Sequence, residues 1–166
     1  CYSYPTCSPT RSALLTGRYG FRTGIGYALE TTNDACLTAY EMTIPELLQP
    51  PGYACAMFGK WHTTLNTPDP NTIGGFPLFV GMIHGAFIPP TEGYFSWPLV
   101  SNNISSTCTN YATTEVTDQA AQWIGTGEAL GALRAGSKVA GGFVRRNPAL
   151  VGVAVVGAGL LWLAAR

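Results

Sequence analysis

Apolar residues in this chain occur in short runs bounded by glycine and proline. Residues 53–58 are mostly apolar, with a glycine on each side, a pattern typical of a buried strand. Before this run, Thr43 can cap a helix start and Glu46 is placed for a capping box. A helix followed closely by a buried strand is half of an α/β unit, so the pattern predicts an α/β fold with this strand in a parallel sheet.

Two further helices are predicted. In residues 7–17, Ser8 is a good N-cap, Pro9 suits the first turn and Gly17 suits a C-terminal stop, which places Cys7 just ahead of the helix. In residues 110–124, apolar side chains recur at helical spacing, at Val116, Ala120, Trp123 and Ile124.

The composition changes abruptly after residue 124. Residues 125–146 are rich in glycine and alanine and predict a helical linker of small residues. Residues 147–166 carry no charge before Arg166 and predict a membrane-spanning helix, near the lower limit of about 17 residues, with Trp162 at an interface. The alternative is a buried helix of a soluble core. The predicted organisation is thus a domain over 1–124, a linker over 125–146 and a transmembrane helix over 147–166.

Composition narrows the classes of function. The 166 residues suffice for one domain, and a formal net charge of zero argues against nucleic-acid binding. The five cysteines show no C-x-x-C spacing, which argues against a zinc site. The odd number fits one cysteine reserved for chemistry, and it fits free buried thiols equally well.

Two pairs of residues carry candidate chemistry. Arg11 lies about one helical turn from Cys7, and a helix N-terminus with an arginine is a ready anion site. Lys60 and His62 are two residues apart at the end of the predicted strand, where they face the same way. Open α/β sheets bind ligands at that end of their strands, so Lys60 and His62 are candidates for anion binding and proton transfer.

Both pairs lie in motifs that resemble a known family. Residues 7–17, Cys-Ser-Pro-Thr-Arg-Ser-Ala-Leu-Leu-Thr-Gly, resemble the first signature of the type I sulfatases, members of the alkaline-phosphatase-like superfamily. Residues 52–62, Gly-Tyr-Ala-Cys-Ala-Met-Phe-Gly-Lys-Trp-His, resemble the second. The resemblance covers residues 1–124 and implies a partial three-layer α/β/α sandwich.

The resemblance also implies a reaction, the hydrolysis of sulfate esters of small molecules or sulfated glycans. A formylglycine-generating enzyme would oxidise Cys7 to formylglycine, the nucleophile and a Ca²⁺ ligand. Arg11, Lys60 and His62 would form the rest of the catalytic side, with Lys60 and His62 on the sulfate. His84 is a further candidate for sulfate binding, against the alternative of an ordinary loop histidine.

The calcium site is the part of the family pattern that is missing. In that family the carboxylates come from a strand upstream of the cysteine and from a pair far downstream, and after Asp118 this chain has no aspartate. We therefore expect a truncated and inactive sulfatase fragment with uncovered sheet edges, in a bacterial membrane. The alternatives are a membrane-anchored, non-catalytic protein that retains a sulfatase-derived module, and a phosphatase or phosphonate-hydrolase relative.

Overall fold

Strand β1, Ala54–Lys60, is the centre of the fold. The computed structural model describes residues 3–30, 35–50, 53–66, 69–85 and 87–125, and the backbone of 151–156 and 159–164. Every residue of β1 except Lys60 is buried. The strand pairs in parallel with β2, Leu78–Met82, on one side and antiparallel with β6, Gly159–Ala164, on the other. The predicted buried strand and its parallel neighbour are confirmed.

The other elements surround this pair of strands. The helices are α1 Cys7–Thr16, α2 Ile44–Leu48, α3 Asp69–Thr72 and α4 Ala112–Gly125, with a 3₁₀ turn at Gly20–Arg22. The remaining strands are β3 Trp97–Ser101, β4 Ile104–Cys108 and β5 Val151–Val156. The sheet order is β4-β3-β2-β1-β6-β5, and β1–β2 is its parallel pair among the described strands. The fold is therefore a mixed α/β sheet.

The sheet has a hydrophobic core on each face, because successive side chains of β1 point to opposite sides. On one face, Ala56 and Phe58 pack with Ala120 and Trp123 of α4. The other face is formed by a larger cluster around Leu15 of α1, to which Cys55, Met57, Trp61, Phe79 and Ile83 belong. This arrangement puts α1 and α4 on opposite sides of the sheet and brings both helices towards the end of β1 that carries Lys60.

Helix α2 and the β3–β4 hairpin form as their local sequences require. The backbone N–H of Thr43 donates to Glu46 Oε2 at 2.8 Å, which is the predicted capping box. The hairpin turns at Asn102, whose φ of 51° lies in the left-handed region that asparagine tolerates. The predicted helix over 110–124 is confirmed as α4.

The predicted start of α1 is wrong by two residues, because the N-cap was predicted at Ser8. Helix α1 begins at Cys7, and the residue at its N-cap is Thr6, which has an extended backbone. Cys7 therefore belongs to the first turn and is not ahead of it. Ser8 does not cap the helix because its hydroxyl binds groups from two other segments. The predicted stop at Gly17 is confirmed, with a φ of 67°.

The predicted membrane helix over 147–166 is also wrong. Residues 151–156 and 159–164 are strands β5 and β6, paired antiparallel with each other. A uniformly apolar run carries no periodicity to separate a helix from a buried strand, and valine at 151, 153, 155 and 156 favours extended backbone. Among the described residues, none of the helices has the length and apolarity needed to cross a bilayer. The inference of a membrane location depended on that helix.

Strand β6 changes another expectation. Uncovered sheet edges were expected, but β6 pairs with β1 from Ala54 to Phe58 and covers that edge of β1. The predicted helical linker over 125–146 lies outside the described residues, apart from Gly125 at the end of α4.

Candidate active site at the N-terminus of helix α1

The first turn of α1 meets the chain that follows β1. Cys7 Sγ lies 3.0 Å from His62 Nδ1, a contact between residues 55 positions apart in the sequence. Cys7 is partly exposed, whereas His62 is buried, with 4% of its surface exposed. The two sulfatase-like motifs therefore converge on one site, as the sequence predicts, with the thiol on its open side.

The backbone and the ring of His62 are both held in place. His62 has a φ of 53°, and its N–H donates to Ile83 O at 2.9 Å, which fixes an unusual left-handed conformation. Its Nε2 lies 2.8 Å from Leu29 O, an acceptor that requires a hydrogen on Nε2. In the neutral ring, Nδ1 is then the acceptor, so the lone pair of His62 faces Cys7.

Ser8 is a site residue that the sequence did not reveal. Its hydroxyl lies 3.3 Å from His62 Nδ1 and accepts the backbone N–H of Leu29 at 3.1 Å. Leu29 and Ser8 thus hold the two nitrogens of the imidazole from opposite sides. No local pattern around Leu29 signals this role, because the contact joins three separate segments.

Two cations lie beside the thiol. Arg11 Nη1 donates to Lys60 O at 2.5 Å, which ties α1 to the end of β1. Lys60 Nζ donates to Gly85 O at 2.5 Å, in the loop after β2. Burial lowers the pKa of Arg11 to about 10, an effect partly offset by the electrostatic interaction with Cys7. Burial also lowers the pKa of Lys60, an effect that the nearby Cys7 opposes and the charge of Arg11 reinforces. An anion at this position would meet both cations and the N–H groups at the start of α1.

Gly85 allows this loop to approach the imidazole closely. A Cβ on Gly85 would overlap Cε1 of His62 and lie 3.0 Å from its Nδ1. The carbonyl of Gly85 therefore reaches Lys60 only because the residue has no side chain.

His84, which was predicted as a sulfate-binding candidate, lies apart from the other predicted site residues. Its side chain is exposed in the loop after β2. Its influence on the site is electrostatic, and it is the weakest of the causes that lower the pKa of His62, after burial, Lys60 and Arg11. The structure therefore brings Cys7, Arg11, Lys60 and His62 together and places His84 outside this group.

The described residues do not fit a calcium site. Calcium takes about six to eight oxygen ligands, most of them from carboxylates, carbonyls and water. Cys7 is surrounded by Arg11, Lys60 and His62, and no group of three or more His, Cys, Asp or Glu side chains in the described ranges is arranged to hold a metal ion.

The titration of His62 gives a testable prediction. Burial, followed by the charge of Lys60, lowers the pKa of His62 from 6.5 to about 4. The unfolded chain then binds a proton between these values that the folded chain does not, so folding stability falls as the pH falls from 6.5 to 4. The expected loss is at most about 3 kcal/mol, measured by urea unfolding at several pH values.

The matched variants are His62→Gln and His84→Gln. We expect His62→Gln to remove this part of the pH dependence and His84→Gln to retain it, because His84 is exposed. An identical pH dependence in the wild type and His62→Gln would contradict the assignment.

Comparison with known proteins agrees with this geometry. A family model described as Sulfatase matches residues 1–132. Arylsulfatase G of Canis lupus familiaris is 38% identical over 91 residues, which are 54% of this chain and 17% of that protein. Steryl-sulfatase of Mus musculus is 36% identical over 94 residues, which are 53% of this chain and 15% of that protein.

A solved structure has the same fold over part of its length. The crystal structure of Ps i-CgsB in complex with k-i-k-neocarrahexaose matches 70% of this chain and 30% of its own, with a TM-score of 0.59 and 25% identity. The chain thus spans less than a third of each of these relatives. Since the family model covers more than half of the chain, the chain belongs to the sulfatase family.

Proposed function

We propose that this chain carries the nucleophile and sulfate-binding side of a sulfatase active site, for the hydrolysis of sulfate esters. The observation that carries the proposal is the 3.0 Å contact between Cys7 and His62, with Arg11 and Lys60 beside it. A sulfate group has three peripheral oxygens that share negative charge, and a pocket of fixed cations and N–H donors matches that distribution.

Each residue has a role in the proposed reaction. Formylglycine at position 7 would supply, as its hydrate, a hydroxyl that is nucleophilic towards sulfur. His62 Nδ1 is oriented to accept the proton of a hydroxyl group at this position. Arg11 and Lys60 hold the negative charge that develops on the sulfate oxygens as the ester bond breaks. Leu29 and Ser8 keep the imidazole in the acceptor tautomer.

The low pKa of His62 suits this role in one respect. An imidazole with a pKa of about 4 is neutral at pH 7, so Nδ1 is available as a base without prior deprotonation. The same value makes it a weak base, so we propose that its main effect is to orient the hydroxyl group.

The substrate classes follow from the relatives. The curated relatives include arylsulfatases and steryl-sulfatases, and the structural relative was solved in complex with a neocarrahexaose. We propose that the ligand of this site is a sulfate ester of a small molecule or of a glycan.

The modification of Cys7 tests the proposal. We expect that co-expression with a formylglycine-generating enzyme replaces the Cys7 thiol with an aldehyde, detected as a mass loss in the peptide that contains Cys7. Cys36, which is also partly buried and forms no disulfide, serves as the internal control and keeps its thiol. An unmodified Cys7 peptide alongside a fully converted reference sulfatase would contradict the proposal.

A further inference from the structure

A cluster of four aromatic side chains lies on the surface near the candidate active site. Phe87 and Tyr94 have ring centroids 5.0 Å apart, Tyr94 and Tyr111 are 5.6 Å apart, and Tyr111 and Phe95 are 5.2 Å apart. Tyr94 is 57% exposed, Phe95 is 67% exposed and Tyr111 is 41% exposed. We call these four residues the aromatic platform. A continuous exposed aromatic surface of this kind marks a binding site more often than isolated exposed rings do.

The aromatic platform borders a cavity of about 420 Å³. Phe87 and Tyr94 of the platform line this cavity together with Lys60. Lys60 is also the residue whose backbone carbonyl accepts the hydrogen bond from Arg11 Nη1 in the candidate active site. The cavity therefore lies directly against the proposed sulfate site, with Lys60 as a shared wall.

The chemistry of the walls favours a hydroxylated ring over a fully apolar one. Met82, Trp97 and Val116 give the cavity apolar walls, and Thr113 and Thr117 add hydroxyl groups. The tyrosines of the platform present phenol groups beside their ring faces, with much of each ring in water. A sugar ring has apolar C–H faces and a polar edge of hydroxyl groups, which matches this combination. A sterol or a simple aryl group would cover the apolar walls but would offer no edge of hydroxyl groups to the phenol and threonine groups beside them.

We propose that the aromatic platform and the adjoining cavity form a sugar-binding subsite for the ring that carries the sulfate ester. The sulfate would lie at Lys60 and Arg11, and the ring would stack on Tyr94 with its hydroxyl edge towards Tyr111 and the threonines. This inference rests on the proposed function and specifies its substrate class as a sulfated sugar.

Binding measurements on the purified chain test this subsite. The probes are a galactose monosulfate, unsulfated galactose, p-nitrophenyl sulfate and inorganic sulfate, with affinities measured by calorimetry or NMR titration. We expect Tyr94→Ala and Tyr111→Ala each to weaken binding of the galactose monosulfate roughly three- to tenfold. Binding of inorganic sulfate should stay within about twofold, because these tyrosines do not contact the sulfate position.

The matched control is Tyr40→Ala, since Tyr40 is 98% exposed and lies between the 3₁₀ turn and α2. It should leave all four affinities unchanged. An unchanged affinity of Tyr94→Ala for the galactose monosulfate would overturn the subsite, as would a loss confined to p-nitrophenyl sulfate. If galactose binds through Tyr94 while inorganic sulfate does not bind, the subsite stands and the proposed function fails. If none of the probes binds at millimolar concentration, both proposals fail.

Discussion

The substitution Gly81→Ala is expected to destabilise the chain by about 4 kcal/mol or more, the largest effect of any single change that we predict. Gly81 of β2 pairs with Gly59 of β1, and a Cβ at position 81 would overlap the carbonyl group of Gly59. The obstacle is backbone, so rotation of a side chain cannot relieve it. Gly59 lies within β1 and is held by the pairing of β1 with β2, so it cannot move aside without disturbing that pairing.

The loss would extend to the active site, because Gly59 directly precedes Lys60. Displacing this part of β1 would move Lys60 and would break the bond from Arg11 Nη1 to Lys60 O. We therefore expect the variant to lose both stability and anion binding.

Gly26→Ala is the matched control for this substitution. A Cβ at Gly26 would meet nothing within 4 Å, so the control should be neutral within about 0.5 kcal/mol. Urea unfolding of both variants gives the comparison. A Gly81→Ala variant as stable as Gly26→Ala would show that β1 and β2 do not pair in the described register.

The local elements of the fold could be predicted from the sequence because their signals lie within a few residues. The capping box at Thr43 and Glu46 determines the start of α2, and the apolar run beside it forms β1. The stop of α1 at Gly17 follows equally from a single residue with a left-handed backbone. These signals depend on neighbouring residues and need no knowledge of the rest of the fold.

The failures occur where the outcome depends on distant parts of the chain. Serine is a residue type favoured at the N-cap, but the hydroxyl of Ser8 binds His62 and Leu29, which lie far away in sequence. The apolar run within residues 147–166 has the composition of a membrane helix, but its segment β6 pairs with the edge of β1. In both cases a tertiary contact overrides a local preference, and a single sequence does not show that contact.

The candidate site was predicted in part for the same reason. Cys7, Arg11, Lys60 and His62 carry motif signals, and the structure brings them together. Leu29 and Gly85 carry no such signal, since each acts through its backbone carbonyl. The aromatic platform could not be predicted from the sequence. Its rings come from two loops that meet only in the fold.

The second large effect concerns the charge of Lys60. We expect Lys60→Met to weaken the binding of inorganic sulfate roughly 10- to 100-fold, because a hydrogen bond between charged groups in a partly buried site is lost. Methionine keeps much of the aliphatic stem that lines the cavity, so the change removes the ammonium group with little loss of packing.

Arg22→Met is the control for the loss of one positive charge. Arg22 lies over the ring of Phe21 in the 3₁₀ turn, 5.9 Å from its centroid. This substitution lowers the net charge by the same amount as Lys60→Met and should change sulfate affinity by less than about twofold, since exposed charges at a distance are screened by salt.

The titration of inorganic sulfate into the wild type, Lys60→Met and Arg22→Met at constant ionic strength tests the central claim most directly. That claim is that residues at the start of α1 and the end of β1 form the sulfate-binding side of a sulfatase site. The account predicts saturable binding to the wild type and to Arg22→Met, with NMR shifts at the residues around Cys7, and a loss of that binding in Lys60→Met. Equal sulfate affinity in the wild type and Lys60→Met would contradict it. So would a titration in which the NMR signals of Cys7 and His62 do not shift.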